Sequence, residues 1–249
     1  MVQSAIPPLA PEILDKLRAL PVATITGLLN ERGLSNIFMR GVMPLDPAMK
    51  VAAQAFTLRY LPKREDLTKN QTPEQRRMRP QRHAIDYGIA AGQVLVIDAR
   101  GEMGSGVIGD LLATRLKYRG GAGVVTDGAF RDASALKEMG LMLFGSGSSG
   151  SATPHAHFDA DYGLPIQCGG VTVVPGDVIV GDADGVVVIP SAMAEEIAEA
   201  GHEREDFEGY IRDLIASGVP LAEANPPSDE YRQAYQQQRA KRLEAGRSS

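Results

Sequence analysis

An α/β fold, with helices alternating with strands in one domain, follows from three stretches of this sequence. Gly109–Asp132, GDLLATRLKYRGGAGVVTDGAFRD, reads as a helix over LLATRLKYR, a break at Gly120-Gly121 and an apolar strand. GQVLVIDARG carries a buried strand, Val94–Asp98, ended by Gly101. Gly169–Pro190, GGVTVVPGDVIVGDADGVVVIP, alternates valines with tight turns at Pro175-Gly176-Asp177 and Asp182–Gly185, as half-buried strands do.

The remaining elements fall in place around these. PEILDKLRAL and ATITGLLNERG predict two short helices, separated at Pro21 and stopped at Gly33. FTLRYL, in VAAQAFTLRYL, is rich in strand formers. Residues 62–82 form a basic arm, with seven basic residues (Lys63, Arg64, Lys69, Arg76, Arg77, Arg79, Arg82) against three acids. It reads as a solvated or subunit-packing arm, or as a source of one or two arginines for a substrate's second carboxylate. It lacks the aromatics that stack bases. His83–Tyr87 belongs to a helix, and ASALKEMGLMLF to a short helix and a strand. GSGSSGSATPHAHFDADYG reads as a flexible polar rim; its His155 and His157 have no Cys or further His nearby to complete a zinc site. Ser191 is placed to cap a last long helix with Phe207, Ile211, Leu214 and Ile215 on one stripe. The expected organisation is one domain over residues 1–225 and a polar, frayed tail over 226–249. No internal repeat occurs.

Composition narrows the function. A net charge of −5 and a pI near 5.5 argue against nucleic-acid or anionic-membrane binding. One cysteine, Cys168, rules out an internal disulfide and suits a reducing cytoplasm. No apolar run reaches membrane-spanning length and no secretory signal is evident at the N-terminus, so a cytoplasmic location is expected.

The chemistry concentrates in Gly109–Asp132. Twenty residues separate Asp110 from Arg131-Asp132, and a helix followed by a strand returns the chain on itself, so both ends can share one edge. The Leu111 and Leu112 amides then stand at a helix N-terminus that favours an anion. Arg131 offers a two-pronged donor for a carboxylate, and Asp132 and Asp110 are hard oxygen ligands for Mg²⁺ or Mn²⁺. A small 2-oxo acid fits that set. The plainer reading makes Arg131-Asp132 a surface turn and Asp110 an N-cap. The glycine-rich loop GEMGSGVIGD is neither a Walker loop nor, despite Gly104-Ser-Gly106-Val-Ile-Gly109, a dinucleotide loop, since no acid follows in the right βαβ frame. Its glycines suit close approach to a ligand. The turn acids near 182–184 lack the closing Glu of a calcium loop.

This block resembles the family of 4-hydroxy-4-methyl-2-oxoglutarate/4-carboxy-4-hydroxy-2-oxoadipate aldolases, which includes the regulator of ribonuclease activity A. Asp110, twenty residues, then Arg131-Asp132 matches the aldolase pattern, and the likeness continues through Ile166–Pro190. The resemblance implies mixed β-sheets curled into a barrel-like core flanked by helices, and homotrimers or homohexamers with sites between subunits. It implies a divalent-metal-dependent class II pyruvate aldolase acting on a 4-hydroxy-2-oxo acid, with oxaloacetate decarboxylase side activity. Asp132 is expected to ligate Mg²⁺ or Mn²⁺, Asp110 to hold a water of its shell, Arg131 with the Leu111 and Leu112 amides to fix the carboxylate, and Glu205 of an adjacent subunit to join the water shell. The sequence departs from the family at Gly27, where a helix often carries an acid. Schiff-base chemistry is disfavoured, because no lysine falls in the mapped site. Two alternatives share the resemblance: a non-catalytic ribonuclease-binding protein, and a hydratase or dehydratase using the same enolate.

Overall fold

A computed structural model describes residues 7–247. The strands are β1 (Phe38–Met39), β2 (Met43–Pro44), β3 (Val51–Pro62), β4 (Val94–Asp98), β5 (Gly123–Thr126), β6 (Ala129–Phe130), β7 (Met142–Gly145), β8 (Gly147–Ser148), β9 (His157–Tyr162), β10 (Ile166–Cys168), β11 (Val171–Val173), β12 (Val178–Asp182) and β13 (Gly185–Ile189). The helices are α1 (Pro11–Ala19), α2 (Val22–Glu31), α3 (Glu65–Thr68), α4 (Pro73–Arg77), α5 (Pro80–His83), α6 (Asp110–Tyr118), α7 (Ala133–Lys137), α8 (Ala194–Ala216), α9 (Leu221–Ala224) and α10 (Asp229–Arg247). The chain falls into two compact units that divide between Ala198 and Glu199.

The first unit is built on one large mixed sheet in the order β1-β13-β12-β3-β4-β5-β7-β2, with β9 added to β3. Strand β3 organises it. Its first residues pair antiparallel with β12, and Leu58–Pro62 pair antiparallel with β9; Ala55–Arg59 pair parallel with β4. The strand therefore starts earlier than FTLRYL, because Val51–Leu58 is buried throughout and shows no alternation to read. Strands β3, β4, β5 and β7 run parallel, and α6 makes the crossover from β4 to β5. The end strands of the order, β1 and β2, are separated in sequence only by residues 40–42. Four Cα steps span at most about 15 Å, so the sheet must curl until its edges approach, which gives the expected barrel-like core. Gly41, at φ 73°, makes that turn.

The core is the valine, isoleucine and leucine of β4, β5, β12 and β13, closed by Phe56, Phe130 and Phe144. The turn acids satisfy backbone. Asp177 accepts from Val174 N–H at 2.8 Å, and Asp182 accepts from Val22 N–H at 2.9 Å, at the start of α2. Ser191 does not cap α8; it opens a short 3₁₀ turn, Ser191–Met193, that leads into the helix.

Three expectations change. The basic arm is not an open segment but three short helices, α3 to α5, the second closed by a Thr72/Gln75 capping box. The polar rim is in large part strand: β9 carries His157 and Asp159, both buried. The polar tail is mostly helix. In the second unit, Tyr235 of α10 packs on Phe207 and Tyr210 of α8 at 4.9 and 5.6 Å between ring centroids and donates to Asp206 at 2.8 Å. Arg239 pairs with Glu203 and Arg242 with Asp206. One aromatic anchor and side-by-side charge pairs hold a helix too polar to show an apolar stripe.

Candidate active site

Strand β4 ends at Asp98, and the chain then follows the glycine-rich loop to Asp110. The loop lies against the segment after β5. Gly106 bridges Ala129 in parallel, Val107 N–H donates to Ala129 O at 2.8 Å, and Arg131 N–H donates to Ile108 O at 3.0 Å. This pairing carries Asp110, four residues on, beside Arg131 and Asp132. The glycines permit it. A Cβ on Gly106 would stand 2.6 Å from Arg131 Cβ and 2.7 Å from its backbone nitrogen; one on Gly109 would stand 2.8 Å from Asp132 Oδ2. Their use is thus close approach of chain to chain rather than to a ligand. The loop is fixed from the other side too: Gln81 and Tyr60 donate to Val107 O at 2.7 and 3.1 Å, and Thr153 to Gly106 O at 2.7 Å.

Asp110 is the first residue of α6 rather than its cap, which is Gly109. Its Oδ1 accepts the Leu111 N–H at 2.7 Å, so that amide already has an anion, the protein's own. The Leu112 amide, also in the first turn, has no intrahelical partner by the geometry of a helix start. Asp132 occupies the left-handed region at φ 58°, ψ 38°, and although it precedes α7 its side chain makes no capping bond. Arg131 Nε lies 3.6 Å from Asp132 Oδ1, and both side chains are substantially exposed, so the pair contributes little to stability.

These residues line a cavity of about 490 Å³ together with Arg79, Arg82, Asp86, Arg115 and the turn Ala152–Pro154. Arg79 is engaged elsewhere: Nε and Nη2 donate to Oδ1 of Asp159 at 2.8 and 2.5 Å, and Gln81 N–H donates to Oδ2 at 3.0 Å. Asp159 is 2% exposed, so this junction fixes the arm to the sheet. Arg115 pairs with Asp86 at 2.6 Å. Behind the loop, the Tyr60 ring packs against His157, tilted by 30° with 5.0 Å between ring centroids. Burial holds the His157 imidazole below its ordinary pKa, and burial, followed by the Asp159 charge, raises the Tyr60 phenol.

A model of the RraA-like family, described as Aldolase/RraA, matches residues 10–188. The chain belongs to this RraA-like family. It is 39% identical over 119 residues to a protein of Halalkalibacterium halodurans named as a candidate 4-hydroxy-4-methyl-2-oxoglutarate aldolase, a match covering 48% of this chain and 56% of that one. It is 28% identical over 216 residues to Protein DlpA of Legionella pneumophila, covering 86% of this chain and 33% of DlpA. The chain thus spans about half, or less, of the length of these curated relatives. Among solved structures it is similar to RraAS2 of Streptomyces coelicolor, titled an unusual member of the RNase ES inhibitor RraA family, with 32% identity, a TM-score of 0.74 and coverage of 82% and 98% of the two chains. An uncharacterized protein of Pseudomonas syringae pv. tomato aligns at 25% identity with a TM-score of 0.72, over 88% of this chain and 99% of its own.

In this RraA-like chain Asp110, Leu111, Leu112, Arg131 and Asp132 share one cavity wall. Among the described residues no group of three or more His, Cys, Asp or Glu gathers as a metal cage. Two hard carboxylates on a cavity suit Mg²⁺ or Mn²⁺, which keep waters and take other oxygens from substrate, and not zinc with its closed protein shell. His155 and His157 part company: His155 bonds Ser151 at 2.8 Å, while His157 is buried. Glu205 lies on α8 in the second unit, 3.6 Å from Arg212. Of the arm, Arg79 and Arg82 line the cavity, whereas Arg64 pairs with Asp66 and Arg76 with Gln71 O. Asp86 and Arg115 carried no signal in sequence, because a pair twenty-nine residues apart on two helices looks like ordinary surface charge. Asp98, at the end of β4, does not line this cavity; it is bridged to Asp127 by the Gln167 amide at 2.9 and 2.8 Å, and burial raises its carboxyl. No helix among the described residues is long and apolar enough to cross a membrane.

Proposed function

We propose that this chain is a divalent-metal-dependent lyase that cleaves a 4-hydroxy-2-oxo acid to pyruvate, with decarboxylation of oxaloacetate as a side activity. The observation that carries the reading is the backbone pairing of Gly106–Ile108 with Ala129–Arg131, which gathers a helix N-terminus, a guanidinium and two carboxylates on one cavity. The similarity to a candidate oxo-acid aldolase supports the substrate class.

In this reading Asp132 and Asp110 hold Mg²⁺ or Mn²⁺, Asp110 through water. When bound, the cation supplies Lewis-acid polarisation of the keto group. Arg131 binds the 1-carboxylate through two parallel hydrogen bonds, with the Leu112 amide beside it. That fixes the bond between C3 and C4 in one orientation. Asp110 takes the proton of the 4-hydroxyl, directly or through water; the C3–C4 bond breaks, the 4-carbon leaves as a carbonyl, and the electron pair stays on C3 as the enolate. Return of that proton to C3 gives pyruvate. With oxaloacetate the leaving group is CO₂ and the enolate is the same. A neighbouring subunit's α8 would bring Glu205, which makes a homotrimer or homohexamer part of the reading. A cytoplasmic setting accords with the single Cys168, a buried free thiol.

The test is pyruvate release from a panel of 4-hydroxy-2-oxo acids and from oxaloacetate, with Mg²⁺ or Mn²⁺ and then with EDTA. Metal-dependent release abolished by chelation is expected; full activity in excess EDTA sinks the metal assignment. Loss of water without pyruvate release identifies a dehydratase acting through the same enolate. The likeness to RraAS2 favours a second reading, ribonuclease inhibition. Binding of a ribonuclease that is unaffected by Arg131→Lys, in a protein without lyase activity, decides for it.

A further inference from the structure

A second cavity, of about 330 Å³, shares no lining residue with the first and opens where three neighbouring parallel strands end. Arg100 lies two residues beyond β4, Asp127 follows β5 and Ser146 follows β7. The carboxyl ends of parallel strands are where open α/β sheets take ligands. The facing wall is the turn of the β10–β11 hairpin, Gly169-Gly170, with both residues in the left-handed region that a two-residue turn requires. A chain of contacts fixes the order of the polar groups. The Arg40 guanidinium lies against Gly170, where a Cβ would stand 2.6 Å from Nη2. Gly170 N–H donates to Gln167 Oε1 at 3.1 Å, and Gln167 Nε2 donates to Asp127 Oδ2 at 2.8 Å. Asp127 Oδ1 accepts the N–H of Ala99, the neighbour of Arg100, at 2.7 Å.

Bonding capacity is left over on this wall. Among the described residues the Arg40 side chain forms no ion pair or hydrogen bond, and neither does the Ser146 hydroxyl. Arg100 Nε is buried without a partner. Its backbone sits at φ 62°, a region that among the described non-glycine residues only Asp132 shares. Such strain collects where position matters more than stability. Charge is balanced but divided: Arg40 and Arg100 stand against Asp127, which is 6% exposed, and Asp98 behind it. A lone carboxylate would meet Asp127 and a lone amine would meet the arginines, so the wall disfavours either alone. We propose that this cavity binds a small α-amino acid, its carboxylate on Arg40 and its ammonium on Asp127 and the Ser146 hydroxyl. Only Gly170 and the Gln167 amide lie between Arg40 and Asp127, so the two ends of one small molecule can reach both, with the exposed arginine stem adjusting to close the gap.

The experiment is calorimetric titration of the full chain with L-alanine and L-serine, and with propionate and ethylamine as the corresponding half-molecules. Wild type should bind at least one of the amino acids about tenfold or more tightly than either half-molecule, as two charged anchors against one require. Arg40→Gln and Asp127→Asn should each weaken that amino acid about tenfold. Because Asp127 also anchors Ala99 and Gln167, a misfolded Asp127→Asn protein leaves the decision to Arg40→Gln, whose exposed side chain bonds nothing else. Arg131→Lys, on the other cavity, should leave the affinity within about twofold. Propionate bound as tightly as the amino acids makes this a plain anion site. Affinity unchanged in Arg40→Gln, or lost in Arg131→Lys, puts the probe elsewhere. No heat of binding from either amino acid at about 10 mM leaves no site of useful affinity. Each of these three results overturns the proposal.

Discussion

Replacing Gly106 by alanine tests whether the glycine loop builds the site. Gly106 does not have a positive φ, so alanine meets no intrinsic backbone strain there. The cost comes from contact. The new methyl group would stand 2.6 Å from Arg131 Cβ, 2.7 Å from Arg131 N and 3.1 Å from Arg131 Cα. Two of these atoms are backbone and cannot swing aside, so the loop and the Arg131 segment must separate by close to an ångström to restore van der Waals distance. Overpacking of this kind costs about 1–3 kcal/mol. Separation also strains the bonds from Val107 N–H to Ala129 O and from Arg131 N–H to Ile108 O, each contributing about 0.5–1.5 kcal/mol. A loss of roughly 2–4 kcal/mol in unfolding free energy is expected by urea denaturation. In the molecules that remain folded, a displacement near 1 Å between Asp110 and Arg131 should lower pyruvate release about a hundredfold. Gly150→Ala is the control, since its added Cβ meets nothing within 4 Å. A Gly106→Ala protein with wild-type stability and wild-type turnover would show that the pairing does not hold the site, and the reasoning from loop to chemistry would be wrong.

Two further outcomes follow from the same geometry. Arg131→Lys keeps the charge but loses the planar fork, and because the side chain is 47% exposed the loss is that of screened charged hydrogen bonds, about 1.5–3 kcal/mol, or ten- to a hundredfold in kcat/KM; wild-type turnover with unchanged pyruvate inhibition would remove Arg131 from the site. His157 is held neutral by burial, receiving the Arg100 guanidinium on Nδ1 at 3.2 Å with Nε2 toward Ser105 O; its contribution to stability is complete above the ordinary imidazole pKa and is lost as pH falls through it toward the lowered folded value, so His157→Gln should flatten the wild-type decline in urea midpoint between pH 7.5 and 5.5, and an unchanged slope refutes the assignment.

How much was legible in the sequence depended on how local the cause was. The helix-break-strand unit at 109–132 could be read because glycine, helix formers and valines act within a few residues of themselves. The same holds for Val94–Asp98 and the hairpins near 178–189. The curl of the sheet could not be derived locally; it rests on β1 and β2 being neighbours in sequence and opposite ends in strand order. Strand β9 was hidden by its own polarity, since Asp159 and His157 are buried through long-range partners, Arg79 and Ser105, that no window contains. The arm showed its excess of arginines, but which of them reach the cavity was set by Pro80 and the Gln81 contacts, so Arg79 and Arg82 line it and Arg64 and Arg76 do not. Helix α10 was missed because a polar helix held by one tyrosine and charge pairs has almost no apolar period.

Asp132 separates what the site needs from what the fold needs. An aspartate at φ 58° bears roughly 1–2 kcal/mol of left-handed strain. At a helix start it would ordinarily offset some of that by capping, yet its carboxylate makes no capping bond and lies toward Gly109 and Arg131 instead. Two local preferences are set aside for one carboxylate orientation, a pattern expected where function rather than stability selects the conformation. Asp132→Gly removes the strain but adds unfolded-state entropy of about 0.4–1 kcal/mol, so the net change in stability should lie within about 1 kcal/mol of zero. Asp132→Asn, which tolerates the same backbone, should be equally stable. Both should lose metal-dependent lyase activity and the Mg²⁺ binding measured by calorimetry. A fall of more than about 2 kcal/mol in either variant would mean that the carboxylate supports the fold, and retained Mg²⁺ affinity in both would pass the ligand role to Asp110.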